Sequence, residues 1–385
     1  MTQVVNIGIV GGGLMGKELA AAIGRWDALE DHPVRPRLTH VCDTNPAALD
    51  WFDKVDSVVV KTTDYRDLLK DDGVDVLYIA VPHHLHEEIY VEAITAGKDV
   101  LGEKPFGIDL DAAARIVAVA EANPDVFVRC SSEMPFFPAA QKAFDLVRSG
   151  ALGRIVDAGC GFLHSSDYDL DKPINWKRQA QHCGEIGVMG DLGMHTLHLP
   201  LRLGWLPEHV YGVLQHLVDE RPRSKGAVER VPCDTFENAT LVCTVDDEAH
   251  GRFPLTLEQK RIAPGEKNSF YFRVRGLDGC VEFSTRYPKT LWRLKVDEGE
   301  QVWQQVEMGS QSAFPTVTGG IFEFGFSDAI LQMWAAFLAE RAGQLGDRFG
   351  CVTPAEALDS HRVFAAALRS HETHAACPPL DSPAR

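Results

Sequence analysis

The stretch VVNIGIVGGGLMG at residues 4–16 decides the fold. Its first seven residues form a largely β-branched apolar run without polar alternation, as expected of a strand buried on both faces of a parallel sheet. Gly11-Gly12-Gly13-Leu14-Met15-Gly16 then fits G-x-G-x-x-G, and an alanine-rich segment (15–25) continues as a helix. In that context Gly11 permits the tight turn, and Gly13 lets the backbone approach a pyrophosphate. Gly16 allows close helix–strand packing, while Leu14 and Met15 open a helix whose N-terminus faces the phosphates. Asp43, closing the next strand, offers a carboxylate to the adenosine ribose hydroxyls.

The distance from Gly16 to Asp43 is 43 − 16 = 27 residues, longer than the ~20 usual in this motif. The excess is read as a surface loop over residues 26–37. Arg35 and Arg37 lie before the expected strand 38–42 and hence at the wrong end for a 2′-phosphate, which Asp43 would also repel. The cofactor expected is NAD rather than NADP.

Outward from this unit, strands are expected at 58–60, 76–80, 99–102 and 126–130, with helices at 65–70, 85–96 and 110–122. Such strand–helix alternation means a parallel sheet covered on both sides. After a helix at 138–149 the texture changes. Strand-like runs at 155–162, 210–218, 235–245, 270–275, 280–283, 291–296 and 301–306 follow with few helices between, which suggests a large, mostly antiparallel open sheet. Two helices close the chain, one with the apolar stripe Phe326, Ile330, Met333, Trp334, Phe337 and Leu338, the other at 354–370 with Thr353 as N-cap. The fold class expected is α/β: a doubly wound dinucleotide-binding domain (1–130), an α/β substrate and oligomerisation domain (131–370), and a disordered tail (371–385).

Composition narrows the function. A chain of 385 residues is long for one core. A net charge of −17 without clustered Lys and Arg speaks against a nucleic-acid partner. No stretch approaches the roughly 18 uncharged apolar residues of a membrane helix, and no signal-peptide core precedes the first strand. Nine cysteines without a C-x-x-C pair read as reduced thiols of a cytoplasmic protein and imply no metal site.

Lys104, in Glu103-Lys104-Pro105, ends the fifth strand at the carboxyl edge of the sheet, where an ammonium can stabilise the alkoxide that forms as hydride leaves a substrate. Pro82, His83 and His86 start the helix after the fourth strand, beside the nicotinamide half. Further on, a glycine-rich lead-in (184–190) reaches Asp191 and His195, four apart and so on one helix face. His195 is the expected general base, and Asp191 would bind a substrate hydroxyl and orient or charge-stabilise the histidine. Trp176 could stack on a sugar face or the nicotinamide, and Lys177 or Arg178 could meet an anion.

These motifs together resemble the Gfo/Idh/MocA family. Its most specific marks here are Gly11 to Gly16, the stretch AITAGKDV (93–100) leading to Glu103-Lys104-Pro105, and Asp191 with His195. The resemblance implies a Rossmann domain followed by an α/β domain with an open sheet used for homodimer or homotetramer formation. It also implies a sugar or cyclitol substrate, a catalytic Lys104, Asp191 and His195, and a cis peptide before Pro105. One departure is His83, where many members have asparagine. Two activities fit: NAD-dependent oxidation of a secondary hydroxyl, or a redox-neutral NAD-dependent glycosidase that oxidises, eliminates, hydrates and reduces again. The second needs another base, for which His164, Tyr168 or His182 would serve, and the Lys177-Arg178 pair would suit an acidic sugar.

Overall fold

The computed structural model describes residues 3–297, 299–309 and 311–380. The first half alternates as its apolar runs require: β1 (Gln3–Val10), α1 (Leu14–Gly24), β2 (Val34–Cys42), α2 (Pro46–Leu49), β3 (Val60–Thr62), α3 (Arg66–Lys70), β4 (Val76–Ile79), α4 (His86–Thr95), β5 (Asp99–Gly102), α5 (Leu110–Ala122) and β6 (Val128–Cys130). The six strands are parallel in the order β3-β2-β1-β4-β5-β6. This is the doubly wound order whose switch point, between β1 and β4, opens a crevice at the strands' carboxyl ends.

The second half comprises α6 (Pro138–Arg148), β7 (Ile155–Leu163), α7 (Ala180–Cys183), α8 (Val188–Arg202), β8 (His209–Gln215), β9 (Glu220–Pro222), β10 (Arg230–Pro232), β11 (Asn238–Asp247), β12 (Gly251–Lys260), β13 (Ser269–Gly276), β14 (Gly279–Ser284), β15 (Thr290–Asp297), β16 (Glu300–Glu307), α9 (Phe326–Arg341) and α10 (Pro354–Thr373). Eight strands form one sheet, β16-β15-β14-β13-β7-β12-β11-β8, antiparallel except where β12 meets β7. Helices α6 and α8 cover one face of it.

The structure departs from the sequence reading at several elements. Residues 26–37 are not a surface loop: Trp26 and Leu29 are buried, the Trp26 indole donates to Val34 O at 2.9 Å, and β2 already starts at Val34. Arg35 and Arg37 therefore sit in the strand, still at the end away from Asp43. Strand β12 was not expected, because Pro254 and the charges at Arg252, Glu258 and Lys260 mask a clean inner face of Phe253, Leu255 and Leu257. Helix α9 returns to the parallel sheet, with Trp334 edge-on to Tyr78 and Arg341 Nε 2.6 Å from Asp99 Oδ2. An apolar stripe shows that a helix is buried, not against which neighbour. Finally, the expected tail is ordered over most of its length. Helix α10, capped at Thr353 as its sequence suggests, runs to Thr373. Cys377 then exchanges backbone hydrogen bonds with Val210 at 2.8 and 2.9 Å, pairing that needs no hydrophobic periodicity. Residues 381–385 lie outside the described residues.

No helix among the described residues is long and apolar enough to cross a membrane. The lead-in to α8 depends on Gly184, whose φ of 81° with ψ of 161° is a conformation open only to glycine, and where a Cβ would collide with the backbone carbonyl of Ile108. Substituting Gly184→Ala should cost about 1–3 kcal/mol, read as a lower midpoint in thermal unfolding; an unchanged midpoint would contradict this placement.

Candidate active site

A crevice of about 680 Å³ runs along the carboxyl ends of the parallel strands, from Gly11 and Gly13 past Asp43 to Lys104 and Lys177. Its floor is set by the glycine loop. Gly11 has φ of 105° and no room for a Cβ beside the Ala80 carbonyl, whereas a Cβ on Gly13 would meet nothing within 4 Å. Gly13 thus leaves an unfilled cradle at the start of α1, where the first backbone N–H groups of the helix have no partners of their own. Leu14 and Met15 line the same wall, and Gly16 packs against Gly11. Asp43 is locked by two backbone donors, Gly12 N to Oδ2 and Asn45 N to Oδ1, both at 2.8 Å. Its carboxylate keeps lone pairs for ribose hydroxyls. The cradle, the fixed carboxylate and the length of the crevice fit a dinucleotide.

At the other end, Pro82 and His83 line the crevice. His83 is buried edge-on under Trp176, with ring centroids 4.7 Å apart, and its Nδ1 lies 3.2 Å from Cys183 O. Trp176 accordingly packs on His83 at the wall. Burial, then His86, holds the His83 imidazole well below its usual pKa. His86 does not belong to the cofactor wall, contrary to expectation. It is fully buried, with Nδ1 2.7 Å from Pro105 O and Nε2 2.9 Å from Val81 O, so it ties the turn after β4 to the turn after β5.

Lys104 follows β5 and is joined to Pro105 by a cis peptide. Its ammonium donates to Asp191 O at 2.7 Å and lies 3.4 Å from Asp191 Oδ1. Glu103, alongside, accepts from the Tyr78 hydroxyl at 2.6 Å, which keeps a buried carboxylate satisfied. Burial alone would lower the Lys104 pKa, but Asp191, Glu103 and Glu133 outweigh it and leave the amine charged.

Asp191, in the first turn of α8, is held by three cations. Lys177 Nζ is 2.6 Å from Oδ1, Lys104 shares that oxygen, and Arg261 Nε is 3.1 Å from Oδ2. Burial pushes the carboxyl up, yet Lys177, Lys104 and Arg261 together keep it well below the ordinary carboxylate range. Lys177, only partly screened by Asp191, is lowered by burial. Arg261 is almost fully buried and also donates to Lys177 O at 3.0 Å, which fixes the loop bearing Lys177. Nothing in the sequence singled out Arg261, since a basic residue just past an unrecognised strand reads as solvated.

One turn on, His195 is buried edge-on to Phe162 at 5.2 Å. Its Nδ1 lies 3.2 Å from Ser132 Oγ and 3.8 Å from Glu133 Oε2, while its Nε2 has no hydrogen-bond partner among the described residues. Burial, reinforced by Lys104, holds the imidazole well below its usual pKa, so it is neutral at pH 7. Asp191 makes no hydrogen bond to His195, although its charge raises the imidazole pKa, and the hydrogen-bond partner of Nδ1 is Ser132. The Ser131-Ser132-Glu133 triplet follows β6, and its signal was available: polar residues at the carboxyl edge of a parallel strand are where such folds place function.

The remaining candidates separate. Arg178 is not available to an anion, because it is buried in an ion pair with Asp167. His164 borders the Asp191 cluster, its pKa drawn down to about 4 chiefly by burial. Tyr168 is exposed, and His182 packs on His84 with ring centroids 4.7 Å apart, away from the cluster. No group of three or more His, Cys, Asp or Glu among the described residues is arranged to hold a metal ion.

Comparison with known proteins places the chain in a family. Residues 5–129 match the family described as "Oxidoreductase family, NAD-binding Rossmann fold", and residues 140–282 match the GFO/IDH/MocA C-terminal domain. Levoglucosan dehydrogenase of Pseudarthrobacter phenanthrenivorans is 27% identical over 299 residues, 73% of this chain and 74% of that protein. D-xylose 1-dehydrogenase (NADP(+)) of Hypocrea jecorina is 23% identical over 61% of this chain and 60% of its own. A solved levoglucosan dehydrogenase in complex with NADH superposes with a TM-score of 0.86 at 22% identity, covering 98% of this chain and 100% of that one. An oxidoreductase domain protein from Kribbella flavida superposes with a TM-score of 0.88 at 24% identity, covering 99% and 100%. The chain is an oxidoreductase of the Gfo/Idh/MocA family with an NAD-binding Rossmann domain.

Proposed function

We propose that the protein is an NAD-dependent dehydrogenase acting on a secondary hydroxyl of a sugar, sugar derivative or inositol. The observation that carries this reading is that Lys104, which lines the crevice from the parallel sheet, donates to Asp191 on α8 and lies near enough to His195, one turn on, to lower its pKa. When bound, NAD supplies the two-electron acceptor for the hydride. The residues supply the rest. His195 offers an unpartnered Nε2 on a neutral ring and takes the hydroxyl proton. The Lys104 ammonium, held charged, donates a hydrogen bond to the oxygen on which negative charge develops. Asp191 is charge-matched by its cations, so its role is to fix Lys104 and Lys177 and to accept from a neighbouring hydroxyl, while its charge also favours the protonated His195 ring.

The levoglucosan and xylose dehydrogenases among its relatives support a carbohydrate substrate. The redox-neutral glycosidase route has less support, since of the second bases it would need only His164 borders the cluster. The acidic-sugar variant loses Arg178 to Asp167. We also propose that the chain works as a homodimer or homotetramer. Tyr211, Val213 and Val242 leave an apolar strip 42–50% exposed on the uncovered face of the eight-stranded sheet, a surface that a second copy would bury.

With NAD and a panel of sugars, inositols and sugar acids, net NADH formation is expected for at least one substrate; aglycone release from a nitrophenyl glycoside without net NADH would contradict the dehydrogenase reading. On that substrate Lys104→Ala and His195→Ala should each lower kcat by at least about a hundredfold, and near-normal turnover would refute the assignment. Because Asp43 faces the ribose and brings no cation, kcat/KM should favour NAD over NADP by about tenfold or more, against which comparable values would stand. Light scattering after size exclusion should give at least twice the chain mass, and a monomer at micromolar concentration would overturn the assembly proposal.

A further inference from the structure

A base that becomes a cation in a buried site needs a counter-charge, and Asp191, whose charge raises the His195 pKa, is shared among three cations and makes no hydrogen bond to the ring. Both oxygens of Asp191 face cations: Lys177 and Lys104 at Oδ1, Arg261 at Oδ2. On the opposite side of His195, Nδ1 faces Ser132 Oγ at 3.2 Å and Glu133 Oε2 at 3.8 Å. Glu133 is 5% exposed and Ser132 fully buried. A carboxylate can only accept and a hydroxyl can accept, so these partners suit the tautomer with its proton on Nδ1 and its lone pair on Nε2. Phe162, edge-on to the ring, fixes its plane.

We propose that Glu133 is the counter-charge of His195: a positioning residue that, with Ser132, holds the Nδ1–H tautomer and stabilises the imidazolium formed when the substrate gives up its proton. The proposal rests on the dehydrogenase reading above. In the step concerned the substrate O–H bond breaks, an N–H bond forms at Nε2, and the electron pair of the O–H bond stays on the substrate oxygen as hydride leaves the adjacent carbon. The proton remains on the imidazole, and Glu133 stays ionised.

The groups that face Glu133 are Glu103 and Lys104 after β5, Tyr78 on β4 and His195 on α8, with His198 behind Ser132. Burial, then Glu103, raises the Glu133 carboxyl to about 7, against a smaller pull from Lys104. His195 lies well below its usual range, so near neutral pH Glu133 is the group that changes charge. The working pair, an ionised Glu133 beside a neutral His195, is present above about 7 and lost as pH falls through that value. An acid limb of kcat/KM near pH 7 would then belong to the carboxylate and not to the base.

The test is Glu133→Gln in the full chain, with NAD and a substrate found in the panel. Expected are a kcat reduced about tenfold to a hundredfold at pH 8, KM values within about threefold, and loss of the acid limb near neutrality. Glu133→Asp should restore part of that limb. A second readout needs no substrate: 15N NMR of labelled histidine in the NAD complex, with His195 identified through His195→Ala. Wild type should show the Nδ1–H tautomer with its ring resonances shifting as Glu133 titrates near pH 7, and Glu133→Gln should abolish that shift. A Glu133→Gln enzyme with the wild-type pH profile and with His195 resonances that still shift near pH 7 would overturn the proposal. If instead Lys104→Ala and His195→Ala retain turnover, the dehydrogenase reading fails, and His195 resonances that still shift near pH 7 in Glu133→Gln separately decide against the carboxylate.

Discussion

The carboxylate of Asp191 is the constraint on which the site depends. A buried ionised carboxylate is tolerable only when opposite charges and hydrogen bonds surround it, and here they arrive from three places. Lys104 comes from the end of β5, Lys177 from the loop before α7, and Arg261 from the end of β12. Two sheets with different strand patterns are thereby held to one point at the mouth of the crevice. Removing the carboxylate would leave mutually repelling cations close together, so its loss should disturb the geometry of the lysines more than it removes a contact.

The loop that carries Lys177 is itself built on buried charge. Asp167 pairs with Arg178 and Lys172, and Arg221 on β9 donates to the carbonyls of Asp167 and Asp169 at 2.7 Å each. These contacts explain why Arg178 is spent on structure while its neighbour Lys177 faces the site. Trp176, packed on His83, closes the same stretch against the nicotinamide end of the crevice. The loop beside the Asp191 cluster is therefore pinned rather than free, and its partly exposed member is the Lys177 side chain.

How far the sequence could be read follows from which interactions are local. Gly11 to Gly16, Asp43 and Glu103-Lys104-Pro105 owe their placement to strand ends and turns, which chain-local chemistry dictates, and the parallel sheet was legible from them. Asp191 and His195 were legible because four-residue spacing on a helix fixes a shared face. Partners set by long-range packing were not. Arg261 and Glu133 reach α8 from 70 and 62 residues away, by 261 − 191 and 195 − 133, and nothing in their own neighbourhoods announces it. The choice between Lys177 and Arg178 depended on where Asp167 would lie. The same limit hid β12 behind Pro254 and left the partner of α9 unknown.

The most direct measurement is a crystal structure of the complex with NAD and a substrate hydroxyl in place. The account predicts one hydroxyl within hydrogen-bond distance, about 3 Å, of both Lys104 Nζ and His195 Nε2, with its carbon facing the nicotinamide. A hydroxyl seated away from that pair, or a Lys104 ammonium turned into solvent with Asp191 bridging elsewhere, would contradict it.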